Sequence, residues 1–180
     1  MGIFTNSVFP ANGEGGAGGG IIKIAQTNWS GTAYYNPSNS ISTDESDITS
    51  LDCSLTPALS SNKVLVIYRL NISIGGTTGG SRLKRKIGSG SYSEICLGDS
   101  RGSRSRTSST VSVHQIQWRN NEIVHFLDSP NTTSTCTYRI GFNTHDGRDF
   151  SINRSMEDGN SALFDNACCT SSLTLMEISS

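Results

Sequence analysis

The stretch NKVLVIYRLNISI, residues 62–74, constrains the fold of this chain more than any other. Val64, Val66, Tyr68, Leu70, Ile72 and Ile74 recur at every second position, so an extended backbone places all six on one face. A helix would scatter them around its axis. Six large apolar side chains in a row need a core beneath them, which predicts a central strand. The opposite face begins with Leu65 and Ile67 and ends with Arg69, Asn71 and Ser73. That gradient predicts that the first half is covered by a second subunit, with Leu65 and Ile67 at the interface, and that the second half meets water.

The same period of two runs through STCTYRIGF, where Cys136, Tyr138, Ile140 and Phe142 share a face. Shorter strands are expected over residues 21–26, 32–35, 51–55, 83–87, 92–97, 111–118, 123–127, 150–153 and 173–178. Turn signals separate them: the glycine run 75–80, Gly88 to Gly90, Asn120-Asn121, Ser129-Pro130-Asn131, Asp146-Gly147 and Asp158-Gly159. No window sustains the i, i+3, i+4, i+7 pattern of a helix, and glycine and β-branched residues disfavour one further. The expected fold is all-β, an antiparallel jelly-roll-like sandwich of about 8–11 strands with little or no helix.

A chain of 180 residues suits one domain. Residues 21–180 are assigned to the sandwich and residues 1–20 to an extended arm. The arm carries Ile3, Phe4, Val8 and Phe9 ahead of the spacer NGEGGAGGG, which holds no fixed shape alone. Four large apolar side chains on a flexible tether predict an anchor that docks into another protein. The first residues show no basic segment followed by an apolar one, and no apolar run nears the ~20 residues that span a bilayer, so no membrane insertion is expected.

Little in the sequence points to catalysis. The string GEGGAG, residues 13–18, fits a dinucleotide fingerprint in spelling but lacks the strand before it and the helix after it. His114, His125 and His145 stand apart from any nucleophile motif, and the acid-glycine clusters HDGRD and EDGN lack the spacing of a calcium loop. The five cysteines (Cys53, Cys96, Cys136, Cys168 and Cys169) include no CxxC pair and are read as small hydrophobes rather than zinc ligands or a disulfide framework. No catalytic residue, cofactor or metal is assigned. A net charge of −1 gives no global attraction to nucleic acid, yet seven of the fourteen basic residues, Arg82, Lys84, Arg85, Lys86, Arg101, Arg104 and Arg106, crowd one stretch. They form a candidate patch for an anionic partner, either another protein or a glycan; nucleic acid is disfavoured because Tyr92 is the one aromatic among them.

Two motifs read as structure. In LDSPNTT, Asp128, Ser129 and Asn131 can bond their own backbone while Pro130 fixes φ, which predicts a turn. In INRS, the Arg154 fork suits a carboxylate such as Glu157, Asp158 or Glu177, unless these residues are solvated at a sheet edge.

The segments IIKIAQT, LDCSLTPALSSNKVLVIYRL, GDSRGSRSRTSS, HFLDSPNTTSTCTYRIGF, SINRSMEDGN and SSLTLMEIS, in that order, resemble a group of small β-sandwich virion structural or tail-fibre proteins of tailed phages, especially marine and cyanobacterial phages. Proteins of that kind are similar to the trimeric jelly rolls of the C1q and tumour-necrosis-factor type. The resemblance implies a homotrimeric virion appendage, a short tail fibre or fibre tip, made in the host cytoplasm and held to the tail, baseplate or capsid by its arm. It also implies a head presented for host attachment, where a surface glycan is a candidate partner. Capsid decoration is the alternative within the structural class, and a glycan-binding lectin module the alternative outside it.

Overall fold

The computed structural model describes residues 20–36, 46–112 and 119–180. Ile3, Phe4, Val8 and Phe9, and most of the strand expected over 111–118 with His114, lie outside the described residues. The strands are β1 (Ile21–Trp29), β2 (Ala33–Tyr35), β3 (Ser46–Asp47), β4 (Cys53–Leu55), β5 (Lys63–Ile74), β6 (Thr78–Ile87), β7 (Ser93–Ile95), β8 (Ser109–Ser112), β9 (Asn120–Asp128), β10 (Cys136–Thr144), β11 (Phe150–Ile152) and β12 (Ser171–Ile178). Helix among the described residues amounts to single 3₁₀ turns at Thr49–Leu51, His145–Gly147 and Phe164–Asn166. Each expected strand that falls on described residues is found, with Val111 and Ser112 of the strand expected over 111–118 at the end of β8, and the two-residue β3 is the addition.

The strands form two antiparallel sheets. In the first, β12 lies between β1 and β5, and β9 takes the other edge of β5. Beyond the end of β12, the short β11 pairs with Phe150 opposite Ile74 and carries β2 on its far side. In the second sheet β10 and β6 pair from Cys136–Ile87 to Thr144–Gly79, β3 and β4 line the outer edge of β10, and β7 and β8 line that of β6. Early and late strands thus interleave in each sheet, the winding of a jelly roll.

All six residues of the defining row, Val64 to Ile74, are fully buried between the sheets. Leu173 and Leu175 extend that surface, and Leu83, Tyr138, Ile140 and Phe142 meet it from the second sheet. The rings of Tyr35 and Phe150 stack at 4.7 Å, and Phe142 tilts against Phe150 at 5.0 Å. Cys53 and Cys136 are buried as apolar side chains and all five cysteines are free thiols.

Four expectations need correction. Asn120-Asn121 is not a turn but the start of β9, paired with Ile72 and Asn71 because β5 extends far enough to hold both in its ladder. Asn71 and Ser73 do not meet water: they are buried, because the segment after β11 and the start of β12 fold over them. Asn71 Nδ2 donates to the Thr170 carbonyl, and the Ser171 hydroxyl accepts from the Asn71 amide at 2.9 Å. The glycine run does not end in a turn at Gly80, since Gly79 and Gly80 already belong to β6. A Cβ on Gly79 would lie 2.6 Å from Phe142 Cζ, so glycine is what lets that ring reach the core. Asp128, finally, leaves its own turn unbonded and points inward to Arg85 and Tyr138.

Candidate functional site

The outer face of the first sheet carries an apolar row that the register builds. Ile24 stands opposite Met176, Met176 opposite Leu65, and Leu65 opposite Leu127, so four side chains from β1, β12, β5 and β9 lie side by side. Ile24, Leu65 and Met176 are half-buried, whereas Leu127 is 49% exposed. The next outward row is Gln26, Thr174, Ile67 and His125, and beyond it Ile123 opposes Arg69 and is 58% exposed.

Leu65 and Ile67 therefore sit at the centre of this face, as half-buried members of a strip that continues outward onto β9. The row owes its greasiness to β5 and β12 offering apolar residues on both of their faces. Its margin is polar and internally bonded: Gln26 Nε2 donates to Thr174 Oγ1 at 2.7 Å, and Arg69 Nη2 donates to Thr170 Oγ1 at 2.7 Å. An apolar centre with a satisfied polar rim is the anatomy of a protein contact.

The seven basic residues divide by environment. Arg82, Lys84 and Lys86 face outward on β6, and Arg85 turns inward. Lys84 pairs with Asp47 at 2.8 Å, Arg82 approaches Glu94 at 3.6 Å, and the Lys86 ammonium lies 5.1 Å from the Tyr92 ring centre. Arg139, from β10, bridges Asp47 at 2.9 Å and Asp52 at 2.6 Å beneath the same ring. Burial alone would push the Asp47 carboxyl up, but the hydrogen bonds from Lys84 and Arg139 outweigh it and hold the group below the usual carboxylate range. Arg101, Arg104 and Arg106 differ: they lie exposed on the loop between β7 and β8 and make no ion pair with any described residue.

Besides Asp128, two buried carboxylates matter for stability. Glu122 is 3% exposed on β9 and accepts a 2.6 Å bond from Ser81 Oγ, whose hydroxyl also meets Tyr68 Oη at 2.6 Å. Burial pushes its carboxyl up, and the serine hydrogen bonds offset only part of that. Glu177 is fully buried and accepts from the Ala58 amide and from Asn62 Nδ2, both at 2.6 Å. Its cation is Lys23, at 3.9 Å, and Arg154 pairs with Asp158 at 2.9 Å. The sequence offered Asp158 among the partners for Arg154; the Glu177 cradle was hidden because Ala58 and Asn62 stand far away in the chain.

Among the described residues no group of three His, Cys, Asp or Glu side chains is placed to hold a metal. No helix among them is long and apolar enough to cross a membrane. No family model matches the chain, and no curated protein matches it.

Proposed function

We propose that this chain is a virion structural protein of a tailed phage that acts by binding, as a homotrimer whose subunits meet through the outer face of the β1-β12-β5-β9 sheet. The observation that carries the reading is the row Ile24, Met176, Leu65 and Leu127, four apolar side chains in register on a face that has no second layer in the described chain. An isolated Leu on a surface is ordinary, but a contiguous strip with a polar margin is what self-association covers. The number three and the phage setting come from the segment resemblance to trimeric jelly-roll appendage proteins. In this reading the arm, with Ile3, Phe4, Val8 and Phe9, holds the trimer to a tail, baseplate or capsid protein.

The test is co-purification. Particles released by the phage that encodes this chain are banded on a density gradient, and peptides of the chain are quantified in the particle and soluble fractions. The chain is expected in the particle band, and gold-labelled antibody then separates a tail position from capsid decoration. A chain found wholly in the soluble fraction overturns the assignment.

A further inference from the structure

We infer that the outer face of the second sheet holds a binding groove for an acidic polysaccharide, between the arginine loop and the ends of β6, β8 and β10. The groove has a volume of about 280 Å³. Its walls carry the hydroxyls of Thr78, Thr110 and Ser112 from the sheet and of Ser105 and Thr107 from the loop, with the amide of Asn143 opposite.

The register explains the hollow. Thr110, Gly80 and Asn143 form one outward row across β8, β6 and β10, and the missing side chain at Gly80 opens a gap in its middle. Thr107 lies over that gap, since a Cβ on Gly80 would come within 2.7 Å of its methyl group. The loop is thereby seated on the sheet, and Ser105 and Thr107 enter the groove while Arg104 and Arg106 alternate with them in sequence.

Its shape is fixed by backbone contacts. Arg106 Nε donates to the Gly98 carbonyl at 2.6 Å, Arg82 Nε donates to the Arg106 carbonyl at 2.9 Å, and the Gly98 amide donates to the Thr107 carbonyl at 3.2 Å. Neutral hydrogen-bonding groups on the walls match the hydroxyls of a sugar chain. Arg104 and Arg106, the exposed chain neighbours of the groove-lining Ser105, make no ion pair with a described carboxylate and bring the positive charge that an acidic chain requires close to the groove. Among the described residues no Phe, Tyr or Trp lines the groove, which disfavours single-stranded nucleic acid, whose bases stack on rings. The site lies on the sheet opposite to the proposed trimer face, so the two proposals stand or fall separately.

The full-length chain is titrated calorimetrically with oligogalacturonate, dextran sulfate, neutral dextran and a thymidine oligonucleotide of matched charge. One of the two acidic saccharides is expected to bind, and which one does distinguishes carboxylate from sulfate recognition. Neutral dextran should not bind, and the oligonucleotide should bind about tenfold or more weakly. Arg104→Ala should weaken the saccharide about tenfold, the scale of one charge-assisted contact. Thr110→Trp, which fills the groove without altering charge, should abolish binding; Ser112→Trp replaces it if circular dichroism shows the first variant unfolded. Failure of both acidic saccharides to bind overturns the proposal. So does equal affinity for the oligonucleotide, or indifference to a folded groove-filling variant, because the loop is then a general polyanion contact.

Discussion

Asn153 Nδ2 donates to the Trp29 carbonyl at 3.0 Å, tying the turn after β11 to the end of the edge strand β1. The same amide nitrogen reaches the Gly31 carbonyl at 2.8 Å, and its Oδ1 accepts from Ser171 Oγ at 2.7 Å. The side chain is fully buried and the backbone is left-handed, with φ at 62°. One residue thus joins β1, the β1–β2 link and β12, and it lies in the segment that covers Asn71 and Ser73. Asn153→Ala should cost about 3 kcal/mol or more, from lost buried hydrogen bonds and a strained φ. Asn153→Gly relieves only the strain and should recover about 1 kcal/mol of that. Urea unfolding of both variants checks the order.

Glu122 gives a pH dependence with a definite sign. Below the ordinary carboxyl value of 4.5 the folded and unfolded chains both hold the proton, so burial of this group carries no ionisation penalty. As pH rises past 4.5, the unfolded chain ionises while the buried carboxyl resists, and stability falls until pH reaches its raised folded value. Glu122→Gln removes this term. The stability difference, variant minus wild type, should grow from pH 4 to pH 8 in denaturant titrations; a constant difference would show that Glu122 does not titrate abnormally.

Arg85 and Asp128 form the most enclosed ion pair carrying a predicted patch residue. Arg85 Nη1 lies 2.7 Å from both carboxylate oxygens, and Tyr138 Oη donates to Asp128 Oδ2 at 2.7 Å. Asp128→Asn strands the guanidinium and should cost about 3–5 kcal/mol. Replacing Arg85, Asp128 and Tyr138 together by Met, Leu and Phe should restore much of it, because no charge is left to satisfy. Equilibrium unfolding of the single and triple variants compares the two.

Gly79 and Gly98 predict opposite outcomes for the same substitution. At Gly79 a Cβ would meet Phe142 Cζ at 2.6 Å and the Asn143 carbonyl at 3.0 Å, whereas at Gly98 the nearest atom is 4.0 Å away. Gly79→Ala should lose about 1–3 kcal/mol by overpacking, and Gly98→Ala should change stability by less than about 0.5 kcal/mol. Thermal melts of the two variants measure the contrast.

The strands and the core were legible because alternation is a local property: the row from Val64 to Ile74 needs only its own spacing to reveal which face is buried. β3 was not legible, since Ser46 and Asp47 carry no apolar pattern and are strand only because β10 offers Gly141 and Phe142 as partners. The glycine pair of β6 was misread for a related reason. Gly79 and Gly80 look like a turn, yet they are in the sheet to admit Phe142 on one side and Thr107 on the other. Buried Asn71 and Ser73 show the remaining limit, for their cover comes from Asn153 and Thr170, about eighty to a hundred residues away in sequence, and composition does not encode that closure. The basic cluster was visible as a run but not as two classes, because only the fold decides that Arg85 faces Asp128 while Arg101, Arg104 and Arg106 face outward.

The central claim is that the strip across β1, β12, β5 and β9 is a subunit contact, and sedimentation equilibrium tests it most directly. The chain should sediment at three times its mass of 19.2 kDa, and Leu65→Lys and Leu127→Lys, with folding verified by circular dichroism, should each shift it toward the single-chain mass. A wild-type chain that sediments at the single-chain mass across the concentration range, or lysine variants that remain fully associated, would contradict it.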